Sequence, residues 1–169
     1  MKHQAITRYD YHKWANNSLL EHLDKLPEEL YGRQIESVFS SISAVISHIY
    51  QVDGLWLSVM SGDSFEETKG VIQEMQEKLS DSSSLERMKE LFSELSNRYE
   101  SFLSEQKDLD RELVIEHPSY GKHRISVSSM VEHVVNHGTY HRGNIAAMLR
   151  QEGHAAVPTD YIFYLLNPT

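Results

Sequence analysis

The chain contains no cysteine, which removes disulfides, thiolate metal ligands and a cysteine nucleophile together. Thiol chemistry, if any, must bring its sulfur in on a small molecule. No apolar run approaches the roughly 20 residues of a membrane span. The start, Met1-Lys2-His3-Gln4-Ala5-Ile6, lacks the apolar core of a secretory leader, so the cytoplasm is the expected compartment. No cluster of Lys and Arg offsets a formal net charge of −9, which argues against nucleic acid as the main partner, because duplex binding draws on grouped positive charge. There is no internal repeat, no low-complexity tract and no sign of a second domain. At 169 residues, positions 1–169 are expected to form one domain with a substantial core.

Histidine, by contrast, is abundant, with 10 residues and no tag-like run. Position decides what they do. The dominant periodicity is helical. Ile6, Tyr9, Trp14, Asn17, Leu20, Leu23 and Leu26 trace one face of a first helix that Pro27 stops. A second helix is expected from about Phe39 to Met60, carried by Ile42, Val45, Ile46, Ile49, Val52, Trp56 and Val59. The acidic segment from Asp63 to Ser82 reads as a wet stretch with a short helix near Val71–Leu79. Ser83-Ser84-Leu85-Glu86 has the form of a capping box ahead of a third helix with Leu85, Met88, Leu91, Phe92, Leu95, Tyr99 and Phe102 along one side. Between Leu109 and Val127 the pattern becomes that of a short hairpin or extended turn through Pro118-Ser119-Tyr120-Gly121. A fourth helix then runs to about Gln151, with Ser129 and Glu132 as a capping box and Gly153 as its stop. The apolar tail from Val157 to Leu166 is expected to dock as a short helix. Four helices of about twenty residues with one long middle connection point to an all-α four-helix bundle.

Turning each residue of the fourth helix by about 100° places Val127, Met130, Val134, Ile145 and Met148 in one inward arc. His137 and His141 fall in or beside that arc, and His133 lies nearer its edge. Residues four apart share a helix face, so both rings can reach one ion. On the second helix His48 falls among Val45, Val52, Leu55 and Val59, in an otherwise apolar arc. A buried imidazole without a partner costs a few kcal/mol of desolvation, and a metal shared with His137 and His141 would satisfy all three. His3, His12, His22, His117, His123 and His154 read as solvated.

Spelling excludes two helical metal chemistries. A zincin needs HExxH, whereas Gly138 follows His137, and no Glu has a His three residues later, as a ferritin-like di-iron site needs. A mononuclear three-imidazole site remains. It resembles catalytic rather than structural zinc because one coordination position stays open. That position suits either a water, acidified to a pKa of roughly 7, or a thiol, deprotonated by coordination.

Trp14-Ala15-Asn16, Ser43-Ala44-Val45-Ile46-Ser47-His48-Ile49 with Asp53 and Leu55-Trp56, and above all Asn136-His137-Gly138-Thr139-Tyr140-His141-Arg142-Gly143-Asn144-Ile145 carry a resemblance. With Met148-Leu149-Arg150 and Pro158-Thr159-Asp160-Tyr161, the chain resembles the DinB-like superfamily of metal-dependent hydrolases and thiol S-transferases over nearly its whole length. Asn144 departs from the pattern, since members often carry Gln there. The resemblance implies an up-down-down-up bundle, usually a homodimer, with metal ligands at His48, His137 and His141. It implies one divalent metal ion per chain, zinc or nickel, and a small-molecule thiol or electrophile as partner. Trp14, Asn17 and Tyr140 are the expected substrate-binding residues at the site entrance. The function expected is a metal-dependent thiol S-transferase or hydrolase acting on a small electrophile. The alternative is a non-catalytic, metal-binding, stress-linked interaction protein, suggested by the missing carboxylate beside the histidines.

Overall fold

The computed structural model describes residues 2–80, 84–117 and 119–166, and for His117 the backbone alone. The Ser83 half of the expected capping box and Pro118 of the expected turn therefore lie outside the described residues. Among the described residues the chain is mostly helical, with one small sheet. The elements are α1 (Gln4–Leu23), α2 (Glu28–Gly32), α3 (Ile42–Ser61), α4 (Phe65–Ser80), α5 (Leu85–Glu105), β1 (Glu112–His117), β2 (Gly121–Ser126), α6 (Val127–Gln151) and α7 (Tyr161–Leu166). No helix among the described residues is long and apolar enough to cross a membrane.

Local chemistry sets most of these limits. Ser41 Oγ accepts from the Ala44 N–H at 3.1 Å to cap α3, and Gly62 ends that helix in the left-handed region at φ 90°. Ser84 Oγ accepts from Arg87 N–H at 3.2 Å and starts α5. The segment after α3 holds more helix than its composition suggests. Ser64 and Glu67 form a reciprocal capping box, Ser64 N–H donating to Glu67 Oε2 at 2.7 Å and Glu67 N–H to Ser64 Oγ at 3.3 Å. Helix α4 therefore begins at Phe65, six residues before the expected start at Val71. The cap of α6 also differs from expectation. Ser126, the last residue of β2, accepts from Ser129 N–H at 3.2 Å, because the strand runs directly into the helix without a loop.

The hairpin is antiparallel, with Leu113 opposite Ile125 and Ile115 opposite His123. The four long helices contact one another in a closed ring, α1 against α6, α6 against α3, α3 against α5 and α5 against α1. Ile42, Val45, Ile46, Ile49, Leu91, Tyr99, Met130, Val134, Ile145 and Met148 fill the interior. Helix α4 covers α3 from outside, and α7 packs on α1 through Tyr161 and Tyr164, whose rings meet Tyr11.

Helix α1 is rotated relative to its apolar periodicity. Tyr9, Leu20 and Leu23 face inward as expected, but His12, Ala15 and Asn16 join them, while Asn17 is exposed and Trp14 half-buried. Reading polar residues as outward fails here because His12 and Asn16 find polar partners inside.

Candidate metal centre

Helices α3 and α6 pack side by side and bring His48, His137 and His141 together. One ring nitrogen from each lies within 4.8 Å of the other two. His48 Nε2 and His137 Nε2 are 3.1 Å apart. The His141 ring centroid stands 4.6 Å from that of His48 and 4.4 Å from that of His137. Phe39, just before α3, closes one side, its ring 5.3 Å from His48 and 5.4 Å from His141. Tyr140, 64% exposed, stands edge-on 4.9 Å from His141 at the outer rim. His133 lies one turn before His137, edge-on against Trp56, and is not part of the three-nitrogen group. His48 and His137 are half-buried and His141 is buried, so the cluster sits at the edge of the interior rather than deep within it.

Burial pushes all three imidazoles below their ordinary range. His137 is lowered to about 3, by desolvation first and then by the neighbouring His141 and His48. His48 is lowered by desolvation, partly opposed by Asp53, and His141 by desolvation and His48. Three neutral rings present lone pairs to one point, the form in which imidazole binds a metal. Two nitrogens sharing a tetrahedral zinc ion at about 2.0–2.1 Å stand roughly 3.4 Å apart, so the 3.1 Å separation of His48 and His137 is near the required spacing. His137 Nδ1 is buried without a hydrogen-bond partner. In hydrogen bonding to protein groups alone His137 is incompletely satisfied. The Asn144 side-chain amide lies 3.3 Å from His141 Nδ1 and holds that ring from behind.

Directly beneath the cluster is a second group of polar side chains. His12, 1% exposed, and Asp53, 2% exposed, form an ion-pair contact with His12 Nε2 2.8 Å from Asp53 Oδ2. Asn16 Nδ2 lies 2.9 Å from the same His12 nitrogen. Arg142 Nη1 donates to Asn16 Oδ1 at 2.8 Å, and Arg142 Nη2 donates to Thr139 Oγ1 at 2.9 Å. Tyr99 O–H donates to the Asp53 carbonyl at 2.7 Å. The reading of His12 as solvated is thus corrected. It is among the most buried side chains, held by a carboxylate that lies 41 residues away in sequence.

The same contact explains the glycine between the two metal-facing histidines. A Cβ at Gly138 would overlap His12 Cε1 and stand 2.6 Å from His12 Nδ1. Only a residue without a side chain lets α1 approach α6 there. Gly138 in the His137–His141 spacing is therefore a packing requirement, and His12 and Asn16, four apart on α1, were the sequence signal for the partner face.

Of the expected substrate-binding residues, only Tyr140 borders the histidines. Trp14 and Asn17 do not join them and instead line an outer groove with Lys13 and Tyr164, because the rotation of α1 directs His12 and Asn16 to the interior in their place.

Residues 1–167 match the family model described as "DinB family". The protein named "Protein DinB" of Bacillus subtilis (strain 168) is 45% identical over 161 residues, covering 95% of this chain and 93% of that protein. The match takes in both helices that carry the histidines, and the chain belongs to the DinB family.

Proposed function

We propose that His48, His137 and His141 hold one divalent metal ion, zinc or nickel, and that the chain is a metal-dependent thiol S-transferase or hydrolase acting on a small electrophile. The observation that carries this reading is the convergence of three imidazole nitrogens within 4.8 Å, on rings that burial holds toward the neutral form. Three protein ligands leave a coordination position open, where a bound ion lowers the pKa of a thiol or water. The protein's own groups orient that chemistry. Asn144 fixes the His141 ring, Phe39 screens one side from water, and exposed Tyr140 marks the side from which a substrate enters. In this reading the ring of four long helices is an up-down-down-up bundle forming one domain. The assembly proposed is a cytoplasmic homodimer.

A passive metal-binding role is the second reading. It is favoured by one observation: Asp53, the carboxylate whose charge acts on His48, is paired with His12 through Oδ2.

Metal content measured by mass spectrometry on untagged protein tests the site. About one divalent ion per chain in the parent, lost in His48→Ala, is the expected result. No metal in folded parent protein after dialysis against zinc and nickel overturns it. A bimane conjugation assay with a panel of low-molecular-weight thiols then separates the two roles. Metal-dependent turnover that vanishes in His141→Ala supports the enzyme, and stoichiometric metal without turnover supports the passive role.

A further inference from the structure

Helix α6 carries polar residues on two opposite faces. At about 100° per residue, Thr139 and Gly143 lie roughly 160° from the mid-line of His137 and His141. On that far face, α6, α1 and the segment 156–161 enclose a cavity of about 550 Å³ that none of the three histidines borders. In a chain of net charge −9, three arginines line it, Arg8, Arg142 and Arg150, against two carboxylates, Glu132 and Asp160.

Arg142 is the informative one. It is 4% exposed, yet among the described residues no carboxylate lies within salt-bridge distance of it. Its donors reach neutral groups only, and its Nε is buried with no partner. In a planar guanidinium, Nε and Nη2 share one edge, the edge that receives a carboxylate or phosphoryl group side-on through two parallel hydrogen bonds. Here Nη2 points to Thr139 Oγ1 at 2.9 Å and Tyr11 Oη at 3.5 Å, both of which belong to residues lining the cavity. Nη2 thus ties Arg142 to the wall of the cavity, with its unpartnered Nε alongside.

Arg8 repeats the pattern. Its Nε is also buried without a hydrogen bond, while its guanidinium lies over the Tyr161 ring, 4.3 Å from the centroid. Glu132 Oε2, at 3.8 Å, is too far for a hydrogen bond to it. Two cations that line one cavity, each with an unpartnered N–H and with apolar walls from Val157 and Pro158 beside them, ask for an anionic acceptor.

We infer that this cavity is a binding site for a small organic anion whose carboxylate or phosphoryl oxygens are taken by Arg142 and Arg8. The site is separate from the histidine cluster and stands whether or not that cluster binds metal.

Calorimetric titration of the as-purified protein with benzoate and with inorganic phosphate, against chloride at equal ionic strength, tests it. The expected result is saturable binding of one anion per chain with a Kd in the millimolar range or tighter. Arg8→Gln weakens it at least about tenfold, Ala146→Leu abolishes it by filling the cavity, and His48→Ala leaves it unchanged. Arg142→Lys is a less clean variant, because Arg142 also ties the buried polar group together. Benzoate alone saturating assigns a carboxylate ligand, and phosphate alone a phosphoryl one. Three results overturn the proposal: neither anion saturating up to roughly 20 mM, binding that survives both Arg8→Gln and Ala146→Leu, or binding lost in His48→Ala.

Discussion

The histidine triad and the His12–Asp53–Asn16–Arg142 group sit on either side of Gly138, both built from polar side chains inside a helical protein. They solve burial in opposite ways. The lower group mixes donors, acceptors and both signs of charge, so its members bond to one another, leaving Asp53 Oδ1 and Arg142 Nε unpartnered. The triad consists of three groups of a single kind, all bases, with no carboxylate among them. Desolvation and mutual proximity hold those bases neutral. A complementary group finds most of its partners within the fold and stabilises it. A group of like bases stays open to something from outside, and a metal cation is the species its chemistry fits.

Four changes break or sharpen this contrast. The largest effect is expected from Asp53→Ala. It leaves His12 buried without its carboxylate, and removing one partner of a buried pair costs about 3–5 kcal/mol. Urea denaturation should show a loss of that order, against a total stability of roughly 5–15 kcal/mol for a typical domain. Gly138→Ala comes next. Its methyl group meets a His12 ring locked by Asp53, an overpacking cost of about 1–3 kcal/mol that better helix propensity only partly offsets. The same substitution should weaken metal binding, because α6 must shift away from α1 and carry His137 and His141 with it. Competition with a chromogenic chelator measures that loss.

The triad should respond in the other direction. In metal-free protein, His137→Leu removes an Nδ1 that has no partner together with the Nε2 that meets His48 Nε2, so the net change in stability should stay within about 1 kcal/mol, while metal binding is lost. A drop as large as that of Asp53→Ala would show that the triad is as structural as the group below it.

The most gradual effect is that of pH. The folded-state value for His137 is about 3, against an ordinary 6.5, so between those limits the unfolded chain binds the extra proton. The stability contribution is full above pH 6.5 and is lost as pH falls toward 3. His48 and His141 are displaced in the same direction. The urea midpoint of metal-free protein should be flat above 6.5 and decline below it, with a shallower decline in His137→Leu.

Much of this was legible in the residues. The inward arc of α6, including Val127, Met130, Val134, Ile145 and Met148, is buried as its periodicity indicates. His48 joins His137 and His141 as its place among apolar neighbours suggested. The hairpin after Leu109 and the terminal helix are both present. Legibility failed where a polar side chain had a distant partner. His12 looked solvated because Asp53 is remote in sequence, and the exposed Asn17 was chosen in place of the buried Asn16. Helix α4 was underestimated because the Ser64–Glu67 cap was lost in an acidic stretch that otherwise reads as loop.

The sequence by itself determined the helical periods, most of the apolar interior and the histidine pair at His137 and His141, because these depend on spacing along one helix. Tertiary structure alone decided the rotation of α1, the burial of His12, Asp53 and Arg142, and the cavity that Arg8 and Arg142 line. The physical reason is that an apolar side chain is driven inward by its own surface, whereas a polar one goes inside only where a partner on another element meets it.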